Sequence, residues 1–321
     1  TTVTYKKDNN FYYVIGESFK VPHWKEGYLP LGGQAHPLAD GKFDENPAKW
    51  TGNGSRASQP DMNDCYETVK INYGVRPDGR KDFDELPQEY ATLDHKAHSD
   101  FWEGKEIPDS WNKFRDIALF WLAKGVDGLR YDMAEMVPVE FWSYLNSSIK
   151  TKYPEALLLA EVYNPSLYRD YLHKGKMDYL YDKVAFYDSI KHIVKGYGWT
   201  DHLPKVQEEI QDIEHHMLHF LENHDEQRIA SPDFAGSAEK GKPAMVVSTT
   251  ISTSPTASAL RAAPASSTGA LPAPAASAPR RRARRRPFTR SNTHHPPPTL
   301  PRRRCPSCCA STAFFRRRTR H

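Results

Sequence analysis

The chain has 321 residues, 26% of them charged and 38% hydrophobic, with a formal net charge of +4, which allows one large domain or two ordinary ones. That charge averages two unlike segments. Fifteen arginines follow residue 260 and no Asp, Glu or Lys follows Ile251, so residues 1–256 carry 29 basic against 40 acidic residues, a net of −11. No apolar run approaches the ~20 residues of a membrane span, no signal peptide opens the chain, and the compartment is not legible.

Residues 1–108 are rich in turns and aromatics, among them Tyr12, Tyr13, Trp24, Trp50, Tyr66 and Tyr73, with poor helical periodicity. This predicts a small irregular domain. Its exposed rings could stack on a flat apolar ligand face, but packing of a domain with little regular structure is the simpler reading. Asp61, Asp64 and Glu67 offer oxygen to a hard cation, though a solvated charged loop accounts for them equally. Cys65 is the only cysteine of the acidic part, so no disulfide framework is expected within it.

Residues 109–256 read as alternating helices and strands. Trp111, Phe114, Ala118, Trp121 and Leu122 predict a helix over 110–124, capped by Asp109 or Ser110 and ended by Gly125. The run Gly128-Leu129-Arg130-Tyr131 predicts a buried strand that stops on Asp132, and Pro138 is placed to open the next helix. Ala156 to Ala160 predicts a strand delivering Glu161. Met177 to Tyr181 predicts another, and Met217 to Leu221 one that delivers Asn223, His224 and Asp225. A (β/α)₈ barrel allots about 31 residues to each unit. Asp132 to Glu161 is 29 residues and Glu161 to Asp225 is 64, so three carboxylates fall at the carboxyl ends of strands n, n+1 and n+3. His215, His216 and His219 precede the last of these, but His219 belongs in the strand, so no metal site is expected from them.

Past Ser237 a helix is expected through Lys240 to Ile251. Residues 257–321 turn to Ala, Pro, Ser, Thr and Arg without period 2 or 3.6, which predicts a disordered basic tail offering no strand. A single Cys305, Cys308, Cys309 cluster is too little for a zinc ribbon. The tail is either a nucleic-acid-binding arm or the product of a GC-rich coding sequence read in another frame, which yields this mixture without Lys, Asp or Glu.

Gly128 to Asp132, then Glu161-Val162, then Asn223-His224-Asp225 resemble, in order and spacing, three signature regions of the α-amylase family of glycoside hydrolases. Gln59-Pro60-Asp61-Met62-Asn63 is similar to a shorter signature of the family's inserted small domain. The resemblance implies a partial (β/α)₈ TIM barrel of strands four to seven (109–256), an inserted small domain (1–108) and the tail (257–321). It implies that Asp132 is the nucleophile, Glu161 the general acid/base and Asp225 a third carboxylate that binds and distorts the sugar. Arg130 would keep Asp132 ionised, Asn223 and His224 would contact substrate, and Glu161 would start protonated. A retaining enzyme on an α-linked oligosaccharide or polysaccharide follows, by hydrolysis or transfer. The family's Asp…Asn-His signature is not found, which places its first three strands upstream of residue 1. Glu135-Met136 stands where many members carry Lys-His, so the family's calcium site is incomplete here. A chain with three carboxylates but an incomplete pocket could instead be a non-catalytic carbohydrate-binding fragment.

Overall fold

A computed structural model describes residues 6–22, 45–251 and the backbone of 312–315, all within one compact unit. Among the described residues the elements run α1 (His95–Trp102), α2 (Asp109–Ala123), β1 (Gly128–Tyr131), α3 (Val139–Lys152), β2 (Leu157–Ala160) and α4 (Tyr168–His173). Then follow β3 (Tyr179–Tyr181), α5 (Asp188–Val194), α6 (His202–Glu209), β4 (Met217–Leu218), α7 (Ala238–Thr250) and β5 (Thr312–Phe315). The sheet order is β4-β3-β2-β1-β5. Strands β1 to β4 are parallel neighbours in chain order, with helices between them. This is a partial (β/α)₈ barrel, as the spacing of the strand-end carboxylates predicts.

The pleat decides what each strand residue faces. Leu129, Tyr131, Leu158, Ala160, Leu180 and Met217 pack with the helices in the main core, whereas Leu157, Leu159 and Tyr179 form a separate cluster flanked by Tyr181 and Leu218 on the other face. The register pairs Arg130 with Leu159 and Leu159 with Tyr179, so Arg130 belongs to that second, inward row. Asp132 and Glu161 lie one pleat further along it. A charged side chain on the barrel face is therefore set by strand parity, two residues before the strand-end carboxylate.

The helix layer is held by a stack of large rings. Trp111 is fully buried, with Phe83, Trp102, Phe141 and Tyr144 at centroid distances of 4.9 to 5.7 Å. The start of α2 is Pro108 rather than a capping side chain: Ser110 Oγ donates to the Asn72 carbonyl at 2.6 Å and Asp109 pairs with Lys113. Gly125, with φ of 86°, ends the helix as expected. Helix α1, which sequence periodicity did not indicate, is capped by Asp94 and packs on α3. Its buried His98 takes an apolar position, with one ring nitrogen 2.8 Å from Ser143 Oγ and the other 2.7 Å from the Tyr90 carbonyl. Tyr12, Val14, Ala48 and Trp50 make a small core of their own in the first segment.

The absence of any strand in residues 257–321 is corrected at four positions. Thr312–Phe315 pairs antiparallel with β1, Gly128 opposite Phe315 and Tyr131 opposite Thr312. The physical reason is the row of backbone donors and acceptors along that edge of β1, which a short β-prone Thr-Ala-Phe-Phe stretch satisfies. The rest of the tail, with its arginine clusters and three cysteines, lies outside the described residues. Cys65 is disulfide-bonded, its partner also outside them. Among the described residues no helix is long and apolar enough to cross a membrane.

One buried polar bridge locks the strand that carries the site. Tyr131 Oη donates to Asn146 Oδ1 at 2.8 Å, and Asn146 Nδ2 donates to the Gly175 carbonyl at 2.7 Å, joining β1, α3 and the turn before β3. Asn146→Ala leaves both partners buried and unpaired, at about 1–3 kcal/mol each. The unfolding free energy measured in urea is expected to fall by an amount of that order, while Ser148→Ala, on the partly exposed side of the same helix, changes it little.

Candidate active site

Strand β1 ends in a sharp turn. Met133 adopts a left-handed backbone (φ 48°), uncommon for a long side chain and costing about 1–2 kcal/mol. The turn aims the Met133 N–H at Glu161 Oε2, 3.3 Å away, while the ladder continues past both strands through Glu161 N to the Tyr131 carbonyl and Ala134 N to the Glu161 carbonyl, each 3.0 Å. Asp132 and Glu161 are thereby held side by side.

Arg130 lies between them. Its Nη1 donates to Asp132 Oδ1 at 2.5 Å and its Nη2 stands 3.0 Å from Glu161 Oε2. The second contact is an ion pair without hydrogen-bond alignment. The Tyr181 ring, inward-facing on β3, lies 5.6 Å from the guanidinium carbon. All three ionic side chains are largely buried, Glu161 at 3% exposure.

The ionisations of the two neighbouring carboxyls are linked. Burial, followed by the hydrogen bond with Glu161, pushes Asp132 up to about 6 against the opposing pull of Arg130. For Glu161, burial works against the charge, but the hydrogen bonds from Asp132 and Tyr163, the Arg130 charge and the Met133 N–H outweigh it and lower its pKa. The two carboxyls thus shift in opposite directions, because more donors are aimed at Glu161 than at Asp132.

Tyr163 is the residue that sequence reading missed. Its hydroxyl donates a short hydrogen bond to Glu161 Oε1, and its own pKa is raised by burial, then by the Glu161 hydrogen bond and charge, then by Asp225. The signal was available, because Tyr163 lies two residues past Glu161, the spacing of one strand face. Glu135 holds the same loop: its Oε2 accepts from the backbone N–H groups of Tyr163 and Asn164, each 2.9 Å.

The third signature region takes a different environment. Strand β4 is only Met217–Leu218, and the chain leaves it three residues earlier than expected. Asn223 Oδ1 accepts from the backbone N–H of Asp225 and Glu226 at 2.8 and 2.7 Å, a turn-forming role. His224 Nε2 pairs with Asp225 Oδ2 at 3.0 Å, with their side chains 69% and 41% exposed. The structure thus gathers Arg130, Asp132 and Glu161 into one buried cluster and leaves Asn223, His224 and Asp225 on a more exposed rim, where the Asp225 charge still reaches Tyr163. Glu226, also unnoticed in the sequence, ties this rim down: it accepts from Tyr187 Oη at 2.8 Å and pairs with Lys183 and Lys191 at 3.2 and 3.3 Å.

The histidines before the rim are structural. His219 is fully buried, stacked on Phe186 at 3.9 Å with Nε2 3.4 Å from Asp182 Oδ2, and His216 Nδ1 is 2.8 Å from the Asp178 carbonyl. Asp61 and Asp64 accept from neighbouring turn N–H groups at 2.8 to 3.0 Å. Among the described residues no group of three or more His, Cys, Asp or Glu side chains could hold a metal ion.

A family model described as alpha amylase, catalytic domain, matches residues 78–257. The chain belongs to the alpha-amylase family. Among curated relatives, the alpha-1,4-glucan:maltose-1-phosphate maltosyltransferase of Cereibacter sphaeroides is 33% identical over 89 residues, 27% of this chain and 14% of that protein. The protein of the same name from Chlorobaculum tepidum is 29% identical over 126 residues, 38% of this chain and 18% of that one. The chain therefore spans less than a fifth of the length of these relatives. Among solved structures, a cyclomaltodextrinase aligns with a TM-score of 0.40 at 22% identity, covering 46% of this chain and 26% of that one. The cyclic alpha-maltosyl-(1→6)-maltose hydrolase of Arthrobacter globiformis aligns at 0.37 and 22%, covering 42% and 31%.

The Tyr163–Glu161 hydrogen bond gives a test that needs no turnover. In Tyr163→Phe, Glu161 loses a donor to its charged form, worth about 1.5–3 kcal/mol, and binds its proton more tightly. Carboxyl ¹³C NMR should then show the Glu161 titration rising by about one pH unit or more. An unchanged Glu161 titration would show that the Tyr163 hydroxyl does not stabilise its charged form. The sign for stability follows from the shift of Asp132. Asp132 binds its proton more tightly folded than unfolded, so its contribution is full below about pH 4 and is lost as pH rises through about 6.

Proposed function

We propose that the chain carries the reacting carboxylates of a retaining enzyme on α-linked glucans, with Asp132 as nucleophile and Glu161 as general acid/base. The observation that supports this most directly is the buried Arg130 that touches both carboxyls at the ends of adjacent parallel strands. Strand ends are where such barrels place their chemistry, and a pair of neighbouring carboxyls is what the retaining reaction requires, about 5–5.5 Å apart with the sugar between them. Family membership and the named activities of the relatives, all on α-glucosidic linkages, point to the same substrate class.

The reaction begins with the sugar parting the two groups and a proton on Glu161. Asp132, a carboxylate beside Arg130, attacks the anomeric carbon. Glu161 gives its proton to the departing glycosidic oxygen, and a covalent glycosyl ester forms on Asp132. The Glu161 carboxylate then takes a proton from water or from a sugar hydroxyl, which attacks the anomeric carbon and frees Asp132. Tyr163 stabilises Glu161 in the second half, when it must act as a base. Asp225 and His224 would meet the sugar from the rim. A phosphate as the departing or attacking group, as in the maltosyltransferases' name, fits the same two carboxyls.

The experiment is labelling with a fluorinated α-glucosyl fluoride followed by peptide mapping. The label is expected on Asp132 and is expected to vanish in Asp132→Asn. Glu161→Gln should lose about 10²–10⁴-fold on a glucan and far less on a fluoride substrate that needs no proton. A label on another residue, or near-normal turnover by Asp132→Asn, would refute the assignment. The raised pKa of Asp132 and the exposed Asp225–His224 pair favour one other reading, a carbohydrate-binding segment without catalysis. Maltooligosaccharide binding with no label at all would support it.

A further inference from the structure

A second cleft, of about 440 Å³, lies between the first segment and the loop that follows β1, and none of Arg130, Asp132 or Glu161 lines it. Its charged lining is Arg56, Lys70, Arg76 and Glu135. Two of these are already matched. Arg76 Nη2 pairs with Asp82 at 2.5 Å, and the Glu135 carboxylate accepts from two backbone N–H groups. The other two are not: among the described residues neither Arg56 nor Lys70 makes an ion pair with a carboxylate. Lys70 is partly buried, and burial lowers its pKa, as expected for an ammonium lacking a counter-charge.

Trp50 supplies the third donor. Its ring is 6% exposed, with the Tyr12 ring stacked at 4.8 Å and the Arg56 guanidinium at 4.4 Å. The indole is thus engaged by neighbours through its rings, but its Nε1–H is buried without a hydrogen-bond partner among the described residues. Buried N–H groups are nearly always paired in folded proteins. An unpartnered indole donor beside two cations without counter-charges calls for an acceptor that is anionic and brings several oxygens.

We propose that this cleft is an oxyanion site that takes the phosphate of a phosphorylated saccharide, with Trp50, Arg56 and Lys70 as its donors. A neutral sugar is a poor match, because it brings no charge to offset the two cations. A phosphate supplies acceptors only, and two cations offset its charge. The cleft is far larger than a bare phosphate and falls within the usual range for small-molecule sites, with Tyr73 and Pro77 beside the donors to cover a sugar ring. The site is separate from the carboxylate pair, so its existence does not depend on the catalytic assignment.

The test follows the indole N–H of Trp50 in the ¹⁵N-labelled chain, assigned with Trp50→Phe, at constant ionic strength in chloride. Glucose 1-phosphate is expected to shift that resonance saturably, and maltose at the same concentration to leave it in place. Lys70→Gln and Arg56→Gln are each expected to weaken the binding at least tenfold, with the other tryptophan resonances unmoved. If one variant disturbs those resonances, the other carries the test, since Arg56 is exposed and outside the core. Inorganic phosphate that binds as tightly as glucose 1-phosphate would keep the oxyanion site and overturn its saccharide part. The proposal as a whole is overturned if glucose 1-phosphate gives no shift, if maltose gives the same one, or if both variants bind as the parent does.

Discussion

The site depends on one buried guanidinium. Removing a cation from water is costly, and Arg130 is tolerated under the strand ends because two carboxylates and the Tyr181 ring surround it. The dependence runs both ways. Asp132 and Glu161 repel one another when both are ionised, and the charge between them lets them sit side by side. Breaking such a group by removing one member leaves an uncompensated buried charge, which costs more than the intact set contributes. Arg130, Asp132 and Glu161 are best understood as a single object.

Around that object the donors are unequally shared. Glu161 receives Tyr163, Met133 and Arg130, and the Tyr163 loop is itself held by Glu135. Asp132 receives Arg130. The asymmetry arises from the left-handed turn at Met133, which points a backbone donor across to the neighbouring strand. The rim is organised independently: Asn223 shapes its turn, and Glu226 fastens it to Lys183, Lys191 and Tyr187.

Much of this was legible from pattern. The four parallel strands, the helices that alternate with them and the strand-end placement of Asp132 and Glu161 follow from apolar runs spaced at the interval of a barrel unit. What stayed hidden has identifiable physical causes. Helix α1 escaped because two of its buried contacts are made by His98 and Trp102 in a run otherwise polar. Strand β5 escaped because its four residues form a strand only against the edge of β1. The unequal environments of the two carboxyls stayed hidden because they depend on how many donors converge on each oxygen. Sequence spacing shows that two carboxyls are neighbours, but not that Tyr163 and a backbone N–H both favour one of them. Asn223, His224 and Asp225 were placed at the correct end of the sheet, yet the shortness of β4 gives them more solvent than a strand running to Leu221 would have allowed.

The alternation along β1 has a consequence for how this segment can change over time. Leu129 and Tyr131 belong to the helix layer, and Arg130 and Asp132 to the opposite face. Losing or gaining one residue anywhere in 128–132 would exchange the two sets, burying a guanidinium among tryptophans and turning Tyr131 to the inward face. The strand can therefore vary by replacement but hardly at all by length, whereas the stretch from Met133 to Pro138 lies beyond the ladder. Lineages of this segment should accumulate their insertions there, so that the mouth of the site drifts while its floor stays in register.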